Sequence, residues 1–187
     1  MAKRSLCAPR RLGLLLLACA AGCAVIDQDY PLAWDPLQQP ATADCARFAG
    51  SYADRGEAAA AGSEPSLSYG LFGQHSDWKD VRRVELELPE DGVLEITAWD
   101  AQKPLFKRRL TTGAGEFECK HGQLVVKSKR WVASDLVSGR ESVTIALSRA
   151  NDKLVAHVKE TTYGTIFAVV PIAGTAGHWY RFARIAP

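Results

Sequence analysis

The chain has 187 residues, the length of one domain with a real core plus short appendages. Its formal charge of +2 misleads, because four of the 23 Lys+Arg fall in residues 1–22, which contain no acid; the rest carries 19 basic against 21 acidic residues. That balance argues against general nucleic-acid binding, and no internal repeat, low-complexity tract or second domain boundary is visible.

Residues 1–22 fall into three regions. Lys3, Arg4, Arg10 and Arg11 make a positive start, residues 12–18 form an apolar stretch broken only by Gly13, and the small Ala20, Ala21 and Gly22 precede Cys23. This is the order of a secretory signal, and the apolar run is short for a bilayer span. The positive end is expected to stay on the cytoplasmic side. Ala20-Ala21-Gly22-Cys23 resembles the lipobox of bacterial lipoproteins, with Ala20 where Leu is usual. The resemblance implies that Cys23 takes a diacylglyceryl group and becomes the mature N-terminus. Two or three acyl chains then hold the protein firmly, where one chain binds only marginally. Leu16-Leu17-Ala18-Cys19 is a second candidate, with a bulkier residue than usual at Leu17. An ordinary cleaved signal or an uncleaved anchor is the remaining reading. Ala24 stands where Asp favours inner-membrane retention in enterobacterial lipoproteins, which points to the outer membrane, facing the periplasm, in a two-membrane bacterium.

Residues 23–43 show no clear period and contain Pro31, Pro36 and Pro40, so they read as a tether. A flexible coil of that length has ends roughly 25 Å apart. Tyr30 and Trp34 are unusual in an inert linker and are expected to dock on the chain's own domain. Cys7 and Cys19 leave with a leader cleaved at Cys23, and Cys23 carries lipid, so Cys45 and Cys119 remain. Two thiols in an exported domain read as a disulfide. It would close a loop of about 75 residues and stabilise by roughly 4 kcal/mol; two separate buried thiols are the alternative. A metal site is not expected, because no histidines stand near either cysteine at ligand spacing.

The single β-rich domain is expected over 44–187. Residues 47–53 read as a first strand, 54–66 as a loop, and 67–72 as a short helix or turn. From Val81 the period is two: Val84, Leu86 and Leu88 alternate with Arg83, Glu85 and Glu87. Asp91-Gly92 supplies a tight hairpin turn into 93–99. Strands are expected at 105–112, 117–120, 124–132, 142–149 and 154–161. Residues 165–172 are apolar on both faces and should form a central or well-covered strand; 178–185 closes the chain. This all-β pattern of about nine or ten strands after a signal helix predicts an antiparallel meander forming a barrel or sandwich.

The candidate chemistry is sparse. His75, His121, His157 and His178 have no zinc-helix spacing, and no Cys-x-x-Cys exists. His75-Ser76-Asp77 holds triad residue types, but adjacent residues do not orient one another in a line, and no Gly-x-Ser-x-Gly elbow is present. Glu85 and Glu87 share a strand face beside Arg83 and read as a solvated charge ladder. Lys107 and Arg109 share one face, and Lys127 and Lys129 another beside Trp131. Merged on adjacent strands, they would make a basic strip for anionic head groups or an acidic polymer, or else an ordinary solvated face. Phe48-Ala49-Gly50-Ser51-Tyr52 resembles, weakly, the Gly-x-Trp opening of lipocalin-type barrels, with Tyr52 replacing Trp. The leading expectation is a non-enzymatic, lipid-anchored envelope domain with a binding or structural role, its partners the membrane and an envelope protein or hydrophobic ligand. The alternative is a carrier whose barrel encloses a hydrophobic ligand among Phe167, Trp179 and Phe182. An enzyme acting on envelope material is the third reading, and no cofactor is implied.

Overall fold

Alternation of apolar and polar residues builds the first hairpin directly. In β4 (Arg83–Glu90) Val84 and Leu86 are buried while Glu87 faces solvent. At Asp91-Gly92, Gly92 takes a φ of +75°, and a Cβ there would stand 2.7 Å from Thr112 Oγ1. Glycine is therefore required twice over, for the left-handed backbone and for the close approach. β5 (Val93–Trp99) returns in register, with Leu86 opposite Ile96, and β6 (Pro104–Thr111) follows it. The computed structural model describes residues 23–38, 44–60, 64–73, 78–133, 137–167 and 170–186. The expected signal helix lies outside them.

The second half is a run of longer hairpins: β7 (Phe117–Lys120), β8 (Gln123–Ala133), β9 (Val137–Ala150), β10 (Lys153–Ile166) and β11 (Val170–Ile185). His121 and Asn151 adopt positive φ at the tight turns between β7 and β8 and between β9 and β10. The N-terminal part adds β1 (Cys23–Asp27), β2 (Gly50–Ala53), β3 (Glu57–Ala58) and the helix α1 (Leu67–Phe72). All of these strands join one 11-stranded sheet, with the path β6-β5-β4-β2-β11-β10-β9-β8-β7 and with β1 and β3 also paired to β11. Every pairing is antiparallel except β1 with β11, which is parallel.

The all-β expectation holds, and the choice between barrel and sandwich resolves to an open sheet folded on itself. The end strands β6 and β7 are joined by a turn rather than by a ladder. Across that seam run the Glu116 N–H to Thr111 O bond (3.4 Å) and the Arg108–Glu116 ion pair (3.9 Å). The two limbs enclose a single main core that includes Phe48, Tyr52, Ile96, Leu124, Leu154 and Phe182. Helix α1 adds Leu67 and Leu71 to this core, and its N-cap Ser66 accepts from the Tyr69 N–H at 3.1 Å. Cys45 and Cys119 form a disulfide with a Cα–Cα distance of 6.0 Å, tying the chain just before a 3-10 helix (Ala46–Phe48) to the edge strand β7.

Three local expectations are corrected. Residues 47–53 are not one strand: the 3-10 helix comes first, and the Tyr52 hydroxyl donates to the Phe48 carbonyl at 2.8 Å to close the bend. Residues 165–172 are not a covered central strand. Phe167 takes a φ of +51° and turns the chain, so β10 ends at Ile166 and β11 begins at Val170. Phe167 and Val170 are 66% and 51% exposed. The described part of the tether is not free either. β1 lies along β11, with Cys23 opposite Ala173 and Asp27 opposite Gly177. Trp34 is buried with Val155 against Tyr30 and Trp179, as docking on the domain requires.

Candidate functional site

The residues singled out by sequence are scattered. Lys107 and Arg109 lie on β6 and Lys127 and Lys129 on β8, which are not neighbours, so the strip does not form. Lys107 and Arg109 are also engaged by Glu95, at 2.7 and 3.0 Å, and Lys127 by Glu118 at 2.9 Å. Phe167, Trp179 and Phe182 do not converge. Phe182 is in the main core, Trp179 packs on the opposite face of the sheet, and Phe167 is at an exposed turn. His75-Ser76-Asp77 lies outside the described residues. His121 is exposed at a turn, and His157 and His178, at positions of opposite parity in paired strands, face opposite sides of the sheet. Glu85 accepts from the Trp99 indole at 3.0 Å, and Arg83 lies 4.7 Å from the centre of that ring. Among the described residues no three His, Cys, Asp or Glu are grouped to hold a metal.

What the strand register does bring together is a charged group at the mouth of the core. Arg130, Glu141 and Glu160 come from three adjacent strands and point to the inner face. Arg130 pairs with Glu141 and reaches Glu160 at 3.5 Å, while the Thr162 hydroxyl donates to Glu141 at 3.4 Å. Burial opposes the Arg130 charge, but the two carboxylates outweigh it and strengthen the cation. Beside them a recess of about 110 Å³ opens under α1, lined by Tyr69, Ile145, Val158, Tyr180 and Phe182. Ligand pockets for drug-sized molecules run from about 300 Å³ upward, so this space suits a few small groups rather than an acyl chain. The charges satisfy one another and read as a lid over the core. Nothing at Arg130, Glu141 or Glu160 in the linear sequence marked them, since only register unites them.

The outer face of the same limb holds two further groups. Near the middle, Asp27 of β1 accepts from Lys159 at 2.7 Å and contacts His157 Nε2 at 3.1 Å. The His157 ring stacks on Trp179 at 4.0 Å, and the Trp179 indole donates to the Gln28 carbonyl at 2.8 Å. These contacts latch β1 onto the sheet. The Lys159 hydrogen bond holds the Asp27 carboxyl below its ordinary value, and burial holds the His157 imidazole below its own. In both cases the released state binds protons more readily, so acidification weakens the latch. The loss begins as pH falls below about 6.5, the ordinary histidine value, and completes as it falls through the depressed Asp27 value. The Gln28 amide, bonded to Gly177 O at 3.1 Å, is the reporter. Its hydrogen-exchange protection, corrected for intrinsic rate, is expected to drop between pH 7.5 and pH 5; protection that stays flat rejects the latch.

Towards the other end, β8 to β11 overhang the core. β9, β10 and β11 run 14, 14 and 16 residues, against 8, 7 and 8 for β4 to β6. In the overhang Gly139 faces Gly164 so closely that a Cβ on Gly139 would lie 2.3 Å from the Tyr163 carbonyl oxygen. One register row crosses it: Trp131, Arg140, Tyr163, Ala173 and Cys23 are successive cross-strand partners. Trp131 and Tyr163 are 64% and 61% exposed and flank a surface cleft of about 530 Å³ with Lys129 and Arg140. Among the described residues no helix is long and apolar enough to cross a membrane. Comparison with protein-family models, curated proteins and solved structures finds no match for this chain.

Proposed function

We propose that the chain is an exported, lipid-anchored β-domain with a non-enzymatic binding or structural role in the cell envelope, its lipid on Cys23 and its domain facing the periplasm. The observation that carries the reading is the meeting of the leader and the sheet. The sequence Ala20-Ala21-Gly22-Cys23 ends where β1 begins, so an anchor at residue 23 is fastened to the domain without a slack linker. The Cys45–Cys119 disulfide suits an oxidising compartment. The filled core favours surface contacts over a ligand enclosed in the fold.

Mass spectrometry of the protein extracted from bacterial envelopes tests this. A mature N-terminus at Cys23 carrying diacylglyceryl and acyl mass is expected, and Cys23→Ser should abolish both the modification and the cleavage. An unmodified cysteine at position 23 would overturn the anchor. For the binding role, crosslinking in intact envelopes should recover a specific neighbour, and recovery of none counts against it.

A further inference from the structure

We infer that the overhanging end of β8 to β11 is a membrane-docking surface, with Trp131, Tyr163, Phe167 and Val170 seated in the interfacial layer of a phospholipid bilayer. This deepens the proposed function and rests on the reading of the N-terminal segment as membrane-attached.

Three observations carry it. The first is the exposed apolar residues themselves. Scattered apolar side chains on a surface mean little, but here two aromatic residues, a turn phenylalanine and a valine gather at one end of one limb. Tryptophan and tyrosine, with one apolar side and one polar tip, are the residues that settle at head-group depth. The second is charge. Lys129 and Arg140 stand beside Trp131 and Tyr163, where cations meet the negative potential of anionic lipid.

The third is register, which names the occupant. Residue 23 lies in the same cross-strand row as Trp131 and Tyr163. β1 runs parallel to β11, so its start points towards the β10–β11 turn. Ala173, opposite Cys23, is three residues from Val170, or about 10 Å at the strand rise. The backbone therefore enters β1 at the level of the exposed aromatics, where acyl chains on Cys23 would be attached. A bilayer that takes up the anchor meets them in the same plane. The Asn151-Asp152 turn lies at the far end of β10, pointing the rest of the domain away from the membrane.

The test uses the full chain produced in bacteria, purified in its native anchored form and reconstituted into vesicles of phosphatidylethanolamine and phosphatidylglycerol with brominated acyl chains. Bromine quenches tryptophan emission at short range. Comparison with Trp131→Phe isolates Trp131 from Trp34, Trp78, Trp99 and Trp179. The wild type should lose a larger share of its emission than Trp131→Phe does, and adding Phe167→Trp to the Trp131→Phe chain should restore the strong quenching. Equal quenching of the wild type and Trp131→Phe, with none gained by Phe167→Trp, overturns the docking surface and leaves the patch to a second copy or a protein partner. The mass of Cys23 is read on the same samples. Quenching without acyl mass refutes lipidation and supports the tip; acyl mass without quenching does the reverse.

Discussion

Replacing Cys45 and Cys119 together by serine is expected to lower the unfolding free energy by about 4 kcal/mol. The bridge spans a sequence separation of 74, and holding two points that far apart removes much of the freedom of the unfolded chain. Its place in the fold raises the stakes. β7 has four residues and a ladder partner on one side, β8. Cys119 ties this edge to the segment that leads into Phe48 and β2, where the two limbs meet. Denaturant titration of the double variant against the oxidised wild type measures the loss. Hydrogen exchange at Phe117–Lys120 should also speed up beyond the global change. A drop below about 1 kcal/mol would mean that the unfolded chain is already confined, or that the native bridge carries compensating strain.

The second large effect is expected at Asp54. Its carboxylate is fully buried and accepts from the Ser66 hydroxyl at 3.2 and 3.0 Å and from the Ser68 N–H at 2.8 Å. Arg55 Nε stands 3.7 Å away. Asp54 also spends its backbone: its N–H donates to Arg82 O, and its carbonyl accepts from the Leu67 N–H. One residue thus fastens the start of α1 to β2 and to the approach to β4. Asp54→Ala leaves the Ser68 N–H buried without a partner and frees Ser66, the helix cap. The expected cost is about 3 kcal/mol, at the upper end for a lost hydrogen bond to a charged group. Asp54→Asn keeps an acceptor and should cost clearly less. Thermal or denaturant unfolding of both variants decides the matter, and equal losses for Ala and Asn would show that the charge, rather than the acceptor geometry, holds the helix.

The disulfide and Asp54 illustrate where sequence reasoning reached and where it stopped. The disulfide was legible because two cysteines were left over. The β4–β5 hairpin was legible because Val84, Leu86 and Leu94, Ile96 alternate on either side of Asp91-Gly92. Asp54 was not, since it opens a stretch rich in Ala, Gly, Glu and Ser that carries no period, and its partners lie across that stretch. The run at 165–172 misled for a physical reason. Apolar residues on both faces normally signal burial within the fold, and here Phe167 and Val170 sit beside a turn where the fold leaves them uncovered. Arg130, Glu141 and Glu160 became a group only through a register that no local pattern specifies.

The placement of β11 has a consequence for how the molecule is made. One edge of this last strand pairs with β10, and the other is shared by β1, β3 and β2, all from the first third of the chain. Cys23 meets Ala173, Glu57 meets Arg181 and Tyr52 meets Arg184. β1, β2 and β3 therefore wait for a strand that follows them by more than a hundred residues. Until the final segment emerges, the two limbs have no strand to join them, and such distant pairings make folding slow. A chain built this way commits to its final shape only when β11 is in place.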